Sequence, residues 1–182
     1  MSQFKYIASP VPLECTSYGS RKINIKTVEF LDDHTVLING VQKIEDSFVT
    51  FKGKDLEWFK RALYLKEEGP GDGVSIGSGY GYPDSISHHF SNHYSYTLQM
   101  LTYDGDQVNL RNKDSMKYDK GVLCELLKKF KGEVEYFEFY SCWADEETFT
   151  RNESKDLIMT FEELINADYM TLHDKQYVRI VM

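Results

Sequence analysis

Residues 119–143 read DKGVLCELLKKFKGEVEYFEFYSCW and change from a helical to a strand-like pattern near Gly132. In the first part, apolar side chains recur every three or four positions and form one stripe, which predicts an amphipathic helix capped by Asp119. The lysines near its end favour the negative pole of a helix, and the glycine ends it. From Val134 to Trp143 the chain is rich in aromatic residues, which predicts a strand. The helical stripe consists of Val122, Leu123, Leu126, Leu127 and Phe130.

The residues before this stretch predict an antiparallel meander followed by a helix. Asn39-Gly40 between two short apolar runs is the strongest hairpin signal in the chain. Apolar residues from Leu56 to Leu63 have the spacing of one helical face, and Gly69-Pro70 ends that helix. The predicted strands lie around Ile23 and Ile25, and over Val28–Leu31, Thr35–Ile38, Val41–Ile44 and Ser47–Phe51.

Thr160 and Glu163 have the spacing of a capping box, in which each side chain bonds to the backbone N–H of the other residue. A short helix is therefore predicted directly after Thr160. The other elements predicted in the second half are strands, and the first two of them form a hairpin around Asp104-Gly105-Asp106. The strands cover Ser95–Tyr103, Gln107–Asn112 and Tyr177–Val181, and the helix covers Phe161–Ala167.

Together these elements predict the α+β class, with antiparallel sheets, two main helices and one short C-terminal helix. The length of 182 residues fits one domain. Residues 1–182 are therefore predicted to form a single α+β domain. A glycine- and histidine-rich loop at 69–94 is the candidate boundary between two subdomains.

The chain carries a formal net charge of −8, and its acidic residues concentrate towards the end. Glu133–Asp174 contains twelve acids against only Arg151 and Lys155. Because phosphate binding needs Lys and Arg, direct nucleic-acid binding is disfavoured through the C-terminal half, and a basic protein partner is favoured. The chain lacks a run of about 20 apolar residues and a secretory signal, and its three widely spaced cysteines suit a reducing compartment. The sequence thus predicts a cytoplasmic protein with no membrane partner.

Three histidines, His88, His89 and His93, follow the glycine-rich run. Imidazoles titrate near neutrality, so these are the catalytic candidates, as acid and base on a phosphodiester. On a helix, His89 and His93 would share a face as metal-ligand pairs do, but no third ligand has a fixed spacing. No metal is therefore predicted. The alternative interpretation is a polar loop that happens to contain three histidines.

The glycine run and the cysteines carry no catalytic signature. Gly71–Gly81 contains neither G-K-[ST] nor a dinucleotide-binding pattern in register, so no cofactor is predicted. Cys124 and Cys142 fall in the predicted helix and strand, which indicates structural thiols, and Cys15 has no activating neighbour in the sequence. None of the three is assigned a role.

Acidic and aromatic residues alternate between Glu133 and Asp156. A strand here places Tyr136, Glu138 and Tyr140 on one face, and neither face is purely apolar, so one face is expected to meet solvent or a partner. Aromatic residues among carboxylates suit a basic groove, whereas the alternative is a solvated edge. The predicted partner-binding residues are Glu133, Glu135, Glu138, Asp145, Glu146, Glu147, Glu153, Asp156, Tyr136, Tyr140 and Trp143.

In its overall profile the chain resembles the small anti-CRISPR proteins that inhibit Cas9, because it is small, acidic, rich in Tyr and Phe, and without a catalytic signature. These inhibitors share no motif, so the resemblance carries over no residue. It implies a partner with a positively charged channel for guide and target nucleic acid, such as a Cas9-type ribonucleoprotein. The sequence therefore predicts an acidic inhibitor protein from a phage or mobile element. Two alternatives stay open: an immunity protein against a basic toxin, and a small phosphodiester-cleaving enzyme that uses the histidines.

Overall fold

The computed structural model describes residues 3–19, 25–44, 50–62, 73–78, 83–100, 102 and 113–182. The chain divides into two compact units, one formed by Met1–Ser20 with Gly69–Met182 and the other by Arg21–Glu68. The strands are β1 (Gln3–Ser9), β2 (Ser17–Tyr18), β3 (Val28–Phe30), β4 (Thr35–Ile38), β5 (Val41–Ile44), β6 (Val74–Gly77), β7 (Tyr94–Gln99), β8 (Tyr136–Trp143), β9 (Leu157–Thr160) and β10 (Gln176–Val181). The α-helices are α1 (Leu56–Ala62), α2 (Pro83–Ile86), α3 (Lys113–Lys128) and α4 (Phe161–Asn166), and turns of 3-10 helix cover Ser87–His89 and Glu153–Lys155. The α+β class is confirmed.

A seven-stranded sheet in the order β2-β6-β7-β1-β8-β10-β9 forms the centre of the larger unit. Neighbouring strands are antiparallel except β10 and β9, which run parallel. The sheet is therefore mixed, and the prediction of purely antiparallel pairing is wrong for this edge. The physical reason is α4 and the segment after it, which carry the chain back so that β10 starts at the same end as β9.

One face of this sheet, the helix face, packs beneath α3. Three leucines of the predicted stripe are buried against Phe137 and Phe139 of β8, which confirms both the amphipathic helix and the alternation of the strand. Phe130 lies at the border of this core, where its ring meets that of Phe137 edge-on with centroids 5.7 Å apart. The buried leucines are Leu123, Leu126 and Leu127.

The start of α3 differs from the prediction. The helix begins at Lys113, so Asp119 lies inside it instead of capping it. Asp119 is fully buried, and its carboxylate accepts a hydrogen bond of 2.7 Å from the backbone N–H of Gly73. The helix ends at Lys128, and Gly132 follows with a φ of 90°, the left-handed conformation that suits a stop. No helix within the described residues, α3 included, is long and apolar enough to cross a membrane.

The opposite face of the sheet, called the tyrosine face, carries Tyr6, Tyr140 and Tyr177 side by side on β1, β8 and β10. All three tyrosines are buried. Residues 83–93 lie over them, because Ile86 belongs to the same apolar cluster and His89 stacks on Tyr140. A segment of the chain itself therefore covers this face.

Residues 69–94 are not one loop as predicted. Val74–Gly77 form β6, which lies between β2 and β7 in the sheet, and Pro83–His89 are helical. The role of this segment as a boundary between subdomains stays a prediction. The predicted strand Ser95–Tyr103 corresponds to β7, whereas Gln107–Asn112 and the turn before it lie outside the described residues.

The smaller unit contains the three-stranded sheet β3-β4-β5 and α1. Asn39 and Gly40 join β4 to β5 with φ values of 50° and 83°, which confirms the predicted hairpin and matches a type I′ turn. Phe51 and Phe59 lie in its core with rings 5.5 Å apart. Ile23, Leu63 and the first three residues of the predicted strand Ser47–Phe51 lie outside the described residues.

Candidate functional site

The three histidines do not form the helical pair that their spacing suggests. The ring of His89 lies between Tyr140, at a centroid distance of 4.0 Å, and His88, at 3.8 Å. His89 is only 6% exposed, whereas His88 and His93 are exposed. The 3-10 turn ends at His89, so His93 does not continue a helical face with it. Among the residues that the structure describes, no three His, Cys, Asp or Glu side chains are grouped as a metal site requires.

His89 is built into the protein as a neutral ring. Burial lowers its pKa from 6.5 to about 4, and the neighbouring ring of His88 adds to the shift. Its Nε2 lies 3.1 Å from the carbonyl oxygen of Glu147, so the proton of the neutral ring is on Nε2 and donates to that oxygen. Arg151 brings the positive charge that the sequence around the histidines lacks, but its Nη1 donates to the backbone carbonyl of His89, at 3.4 Å. The ring therefore fastens residues 83–93, called the cover, to the chain after β8.

Glu138 is a buried anchor and not a surface residue. It is 1% exposed, and its Oε1 accepts hydrogen bonds from the N–H of Ser91 at 3.0 Å, the hydroxyl of Ser91 at 2.7 Å and the hydroxyl of Tyr177 at 2.6 Å. Its Oε2 accepts from the N–H of Asn92 at 2.7 Å. A buried carboxyl group that accepts from this many donors fixes those donors in place. Glu138 thus binds the end of the cover to β8.

Glu147 and Tyr140 are also unavailable to a partner, because they are 6% and 0% exposed. Burial raises the pKa of Tyr6, and the nearby thiol of Cys142 and carboxylate of Glu147 raise it further. Burial likewise raises the pKa of Cys142 to about 12, so this thiol stays protonated and unreactive at neutral pH, as a structural cysteine does. The hydroxyl of Tyr140 is buried without a hydrogen-bond partner among the described residues. Glu138, Glu147 and Tyr140 are thus buried instead of lying on the surface, and their role in binding a partner stays a prediction.

The signal that sequence reasoning missed was the mixed character of β8. An acid between aromatic residues in a strand can be a buried anchor as well as a surface group, and only the segment packed over it decides which. Here residues 83–93 supply the backbone N–H groups, and they lie more than 40 residues earlier in the chain. Tyr136 and Trp143, at the two ends of the strand, are half-buried and keep some access to solvent.

The remaining predicted acids divide between the two ends of β8. Glu133 and Glu135 precede the strand, whereas Asp145, Glu146, Glu153 and Asp156 follow it. A strand of eight residues is about 25 Å long, so these acids do not form one patch. Aromatic and acidic residues that are interleaved in the sequence are therefore separated in the fold.

Within residues 132–182, each of the four basic side chains is already engaged. Two form ion pairs with partly buried carboxylates, one lies against the buried anchor, and one binds a backbone carbonyl. The contacts are Arg151–Asp156 at 3.2 Å, Lys175–Glu146 at 3.2 Å, Arg179–Glu138 at 3.8 Å, and Lys155 Nζ to the carbonyl oxygen of Asp174 at 3.1 Å.

Apart from Glu163, which is bonded to Thr160 in the capping box, five exposed carboxylates in the same region have no cationic partner among the described residues. Acidic residues outnumber basic ones in the larger unit but not in the smaller one. The larger unit contains 12 Lys and Arg against 20 Asp and Glu, and the smaller unit contains 9 against 9. The whole net charge of −8 is therefore carried by the larger unit. The five carboxylates are Glu133, Glu135, Asp145, Glu153 and Asp168.

Searches of protein-family models, of curated proteins and of solved structures found no match to this chain.

Proposed function

We propose that this protein is a cytoplasmic inhibitor that binds a basic, nucleic-acid-handling partner protein, as the small anti-CRISPR proteins do. The observation that carries the proposal is the surplus of exposed carboxylates on residues 132–182, where the four basic side chains are engaged within the fold. Such a surface attracts a positively charged protein over a distance of about one Debye length, near 8 Å at physiological salt.

A protein with a channel for nucleic acid is the partner class that this charge fits best. Its channel is lined with Lys and Arg, because it must neutralise phosphates. An acidic protein that occupies or covers this channel competes with the nucleic acid for the same cations. The inhibitor needs no catalytic group, since exclusion of the nucleic acid is sufficient.

The histidines do not favour an enzyme. A phosphodiester-cleaving site needs two accessible proton-transfer groups and a cation directed at the phosphate. His89 is buried with its Nε2 at the carbonyl of Glu147, and the guanidinium of Arg151 pairs with Asp156. An immunity protein against a basic toxin would use the same electrostatics, so the binding experiment includes that partner class.

The proposal is tested by measuring association with a purified Cas9–guide RNA complex and with a basic nuclease toxin, between about 50 and about 500 mM salt. The variant Glu133→Lys with Glu135→Lys reverses two exposed charges, and Glu14→Lys with Glu29→Lys is the matched control, since both of its acids are also exposed. We expect the association rate to fall with salt and to fall in the first variant but not in the control. Association with neither protein, or a rate that does not depend on salt, would contradict the proposal.

A further inference from the structure

Strand β9 is the last strand of the seven-stranded sheet. In the described part of the chain it has one neighbour, β10, with Leu157 beside Val178 and Ile158 beside Arg179. One side of β9 is therefore a sheet edge, at which backbone N–H and C=O groups are open to pairing with another strand.

The side chains at this edge are unusually apolar for a surface. Leu157 is 39% exposed, Ile158 is 67% exposed, and Val181 of the neighbouring strand is 39% exposed. Ile158 and Val181 belong to the tyrosine face, because they lie in register with Glu138 and Tyr136 respectively. Residues 83–93 cover the middle of that face, and this corner remains accessible.

Natural edge strands are usually protected by a charged side chain or a proline. The four residues of β9 include neither, and among the described residues the protection that this edge shows is the shortness of the strand. Lys155, two residues before the strand, would be the nearest such charge, but its ammonium group is bonded to the carbonyl of Asp174. An exposed apolar edge without these devices is typical of a binding edge.

The charges at the two ends of this edge indicate which kind of segment would bind. Glu153 lies shortly before β9, at one end, and Glu135 lies beside the end of β10, at the other end, where its carbonyl accepts from the N–H of Met182 at 2.9 Å. Both carboxylates are exposed, whereas the two neighbouring cations have contacts within the fold: Lys155 bonds to the carbonyl of Asp174, and Arg179 lies over the ring of Tyr136 at 4.4 Å and beside Glu138. A basic segment is therefore favoured, and an acidic one is repelled.

We infer that β9 accepts an extended segment of the basic partner as an added strand, in which apolar residues alternate with Lys or Arg. This inference rests on the proposed function and names the surface through which it acts. The apolar side chains of the segment lie against Ile158 and Val181, and its cations reach the carboxylates at the ends of the edge. Main-chain hydrogen bonds supply affinity, and the alternating side chains supply selectivity.

The test uses the full chain and a short labelled peptide of alternating arginine and valine, with a peptide of alternating glutamate and valine as its counterpart. Binding is measured by fluorescence anisotropy for the parent, for Ile158→Lys, for the milder Ile158→Thr, and for Leu31→Lys. Leu31 is a matched control because it is 50% exposed and lies in the smaller unit. Amide hydrogen exchange of residues 157–160 is followed in parallel.

We expect the arginine peptide to bind and the glutamate peptide not to bind. Ile158→Lys should weaken binding at least about tenfold, which corresponds to about 1.4 kcal/mol, with a smaller loss for Ile158→Thr and none for Leu31→Lys. Exchange at 157–160 should slow when the arginine peptide is present.

If binding of the arginine peptide depends on salt but is unchanged by Ile158→Lys, this inference is wrong and the proposed function still holds. Equal binding of both peptides with protection of 157–160 would contradict the basic partner. A parent protein that dimerises in sedimentation, while Ile158→Lys does not, would assign the edge to a second copy and overturn the inference.

Discussion

Replacing Glu138 by Ala should destabilise the larger unit more than any other single change to an acidic residue in β8 or the segments beside it. The carboxylate is 1% exposed and accepts four hydrogen bonds, three of them from Ser91 and Asn92 of the cover. The loss of one partner from a buried charged network costs about 3–5 kcal/mol, because the other groups stay buried without it. For a chain of this size about 1 kcal/mol changes the melting temperature by about 2–4 °C, so the expected decrease is roughly 6–20 °C.

The assays are thermal denaturation, which gives the melting temperature, and urea denaturation, both monitored by tryptophan fluorescence. Amide hydrogen exchange of residues 83–93 is measured in parallel. Glu135→Ala is the control, because it removes an exposed acid three residues away and should change stability by less than about 0.5 kcal/mol. Glu138→Gln keeps the shape of the side chain but points an amide N–H₂ at a donor, so its cost should lie between the two. If Glu138→Ala unfolds at the same urea concentration as Glu135→Ala, the network does not hold the cover in place.

Three further outcomes are expected. Leu126→Ala should cost about 2–5 kcal/mol in the free energy of unfolding and Phe130→Ala less, because Leu126 is 3% exposed and Phe130 lies at the core border; equal costs would place Phe130 in the interior. The pKa of His89 is lowered to about 4, below that of the unfolded chain, so stability is complete above about pH 6.5 and should fall as the pH is lowered towards 4. His89→Phe should flatten that decrease in denaturation curves, and an unchanged slope would exclude His89 as its source. A thiol reagent at neutral pH should label exposed Cys15 in the folded protein and spare buried Cys124 and Cys142, as mass spectrometry of the intact protein would reveal; fast labelling of Cys142 would mean that the tyrosine face opens readily.

The features that could be predicted from the sequence are those in which neighbours along the chain interact. The turn at Asn39-Gly40 needs only two residues with positive φ. The capping box needs only Thr160 and Glu163, and both of its bonds form, at 3.1 Å from the N–H of Glu163 and 2.6 Å from the N–H of Thr160. The stripe of α3 is likewise a local pattern, and its leucines are buried as expected.

The features that could not be predicted depend on residues far apart in the chain. Asp119 precedes the apolar stripe as a cap would, yet it bonds to Gly73, 46 residues away. The cover is the clearest example, because no pattern within residues 83–93 indicates that they lie over β8. Without that information, Glu138 and Tyr140 look like surface residues, and the accessible edge at β9 is indistinguishable from a buried strand.

In the sequence, the smaller unit is inserted between β2 and β6, and this insertion has a consequence for the order of folding. Ser17 and Ser75 are 58 residues apart in the chain, yet their hydroxyls lie 2.6 Å from each other where the two strands pair. Closure of so long a loop is slow and entropically unfavourable, and each doubling of its length adds about 0.6 kcal/mol. A hairpin such as β4–β5 forms within about 10 μs, whereas strand pairing over long sequence distances takes milliseconds or longer. Most of the residues in that loop belong to a unit with its own sheet and core, so they can become ordered through local contacts before β2 and β6 pair. Among the described residues this unit contributes no strand to the seven-stranded sheet, so the two sheets can form at different times.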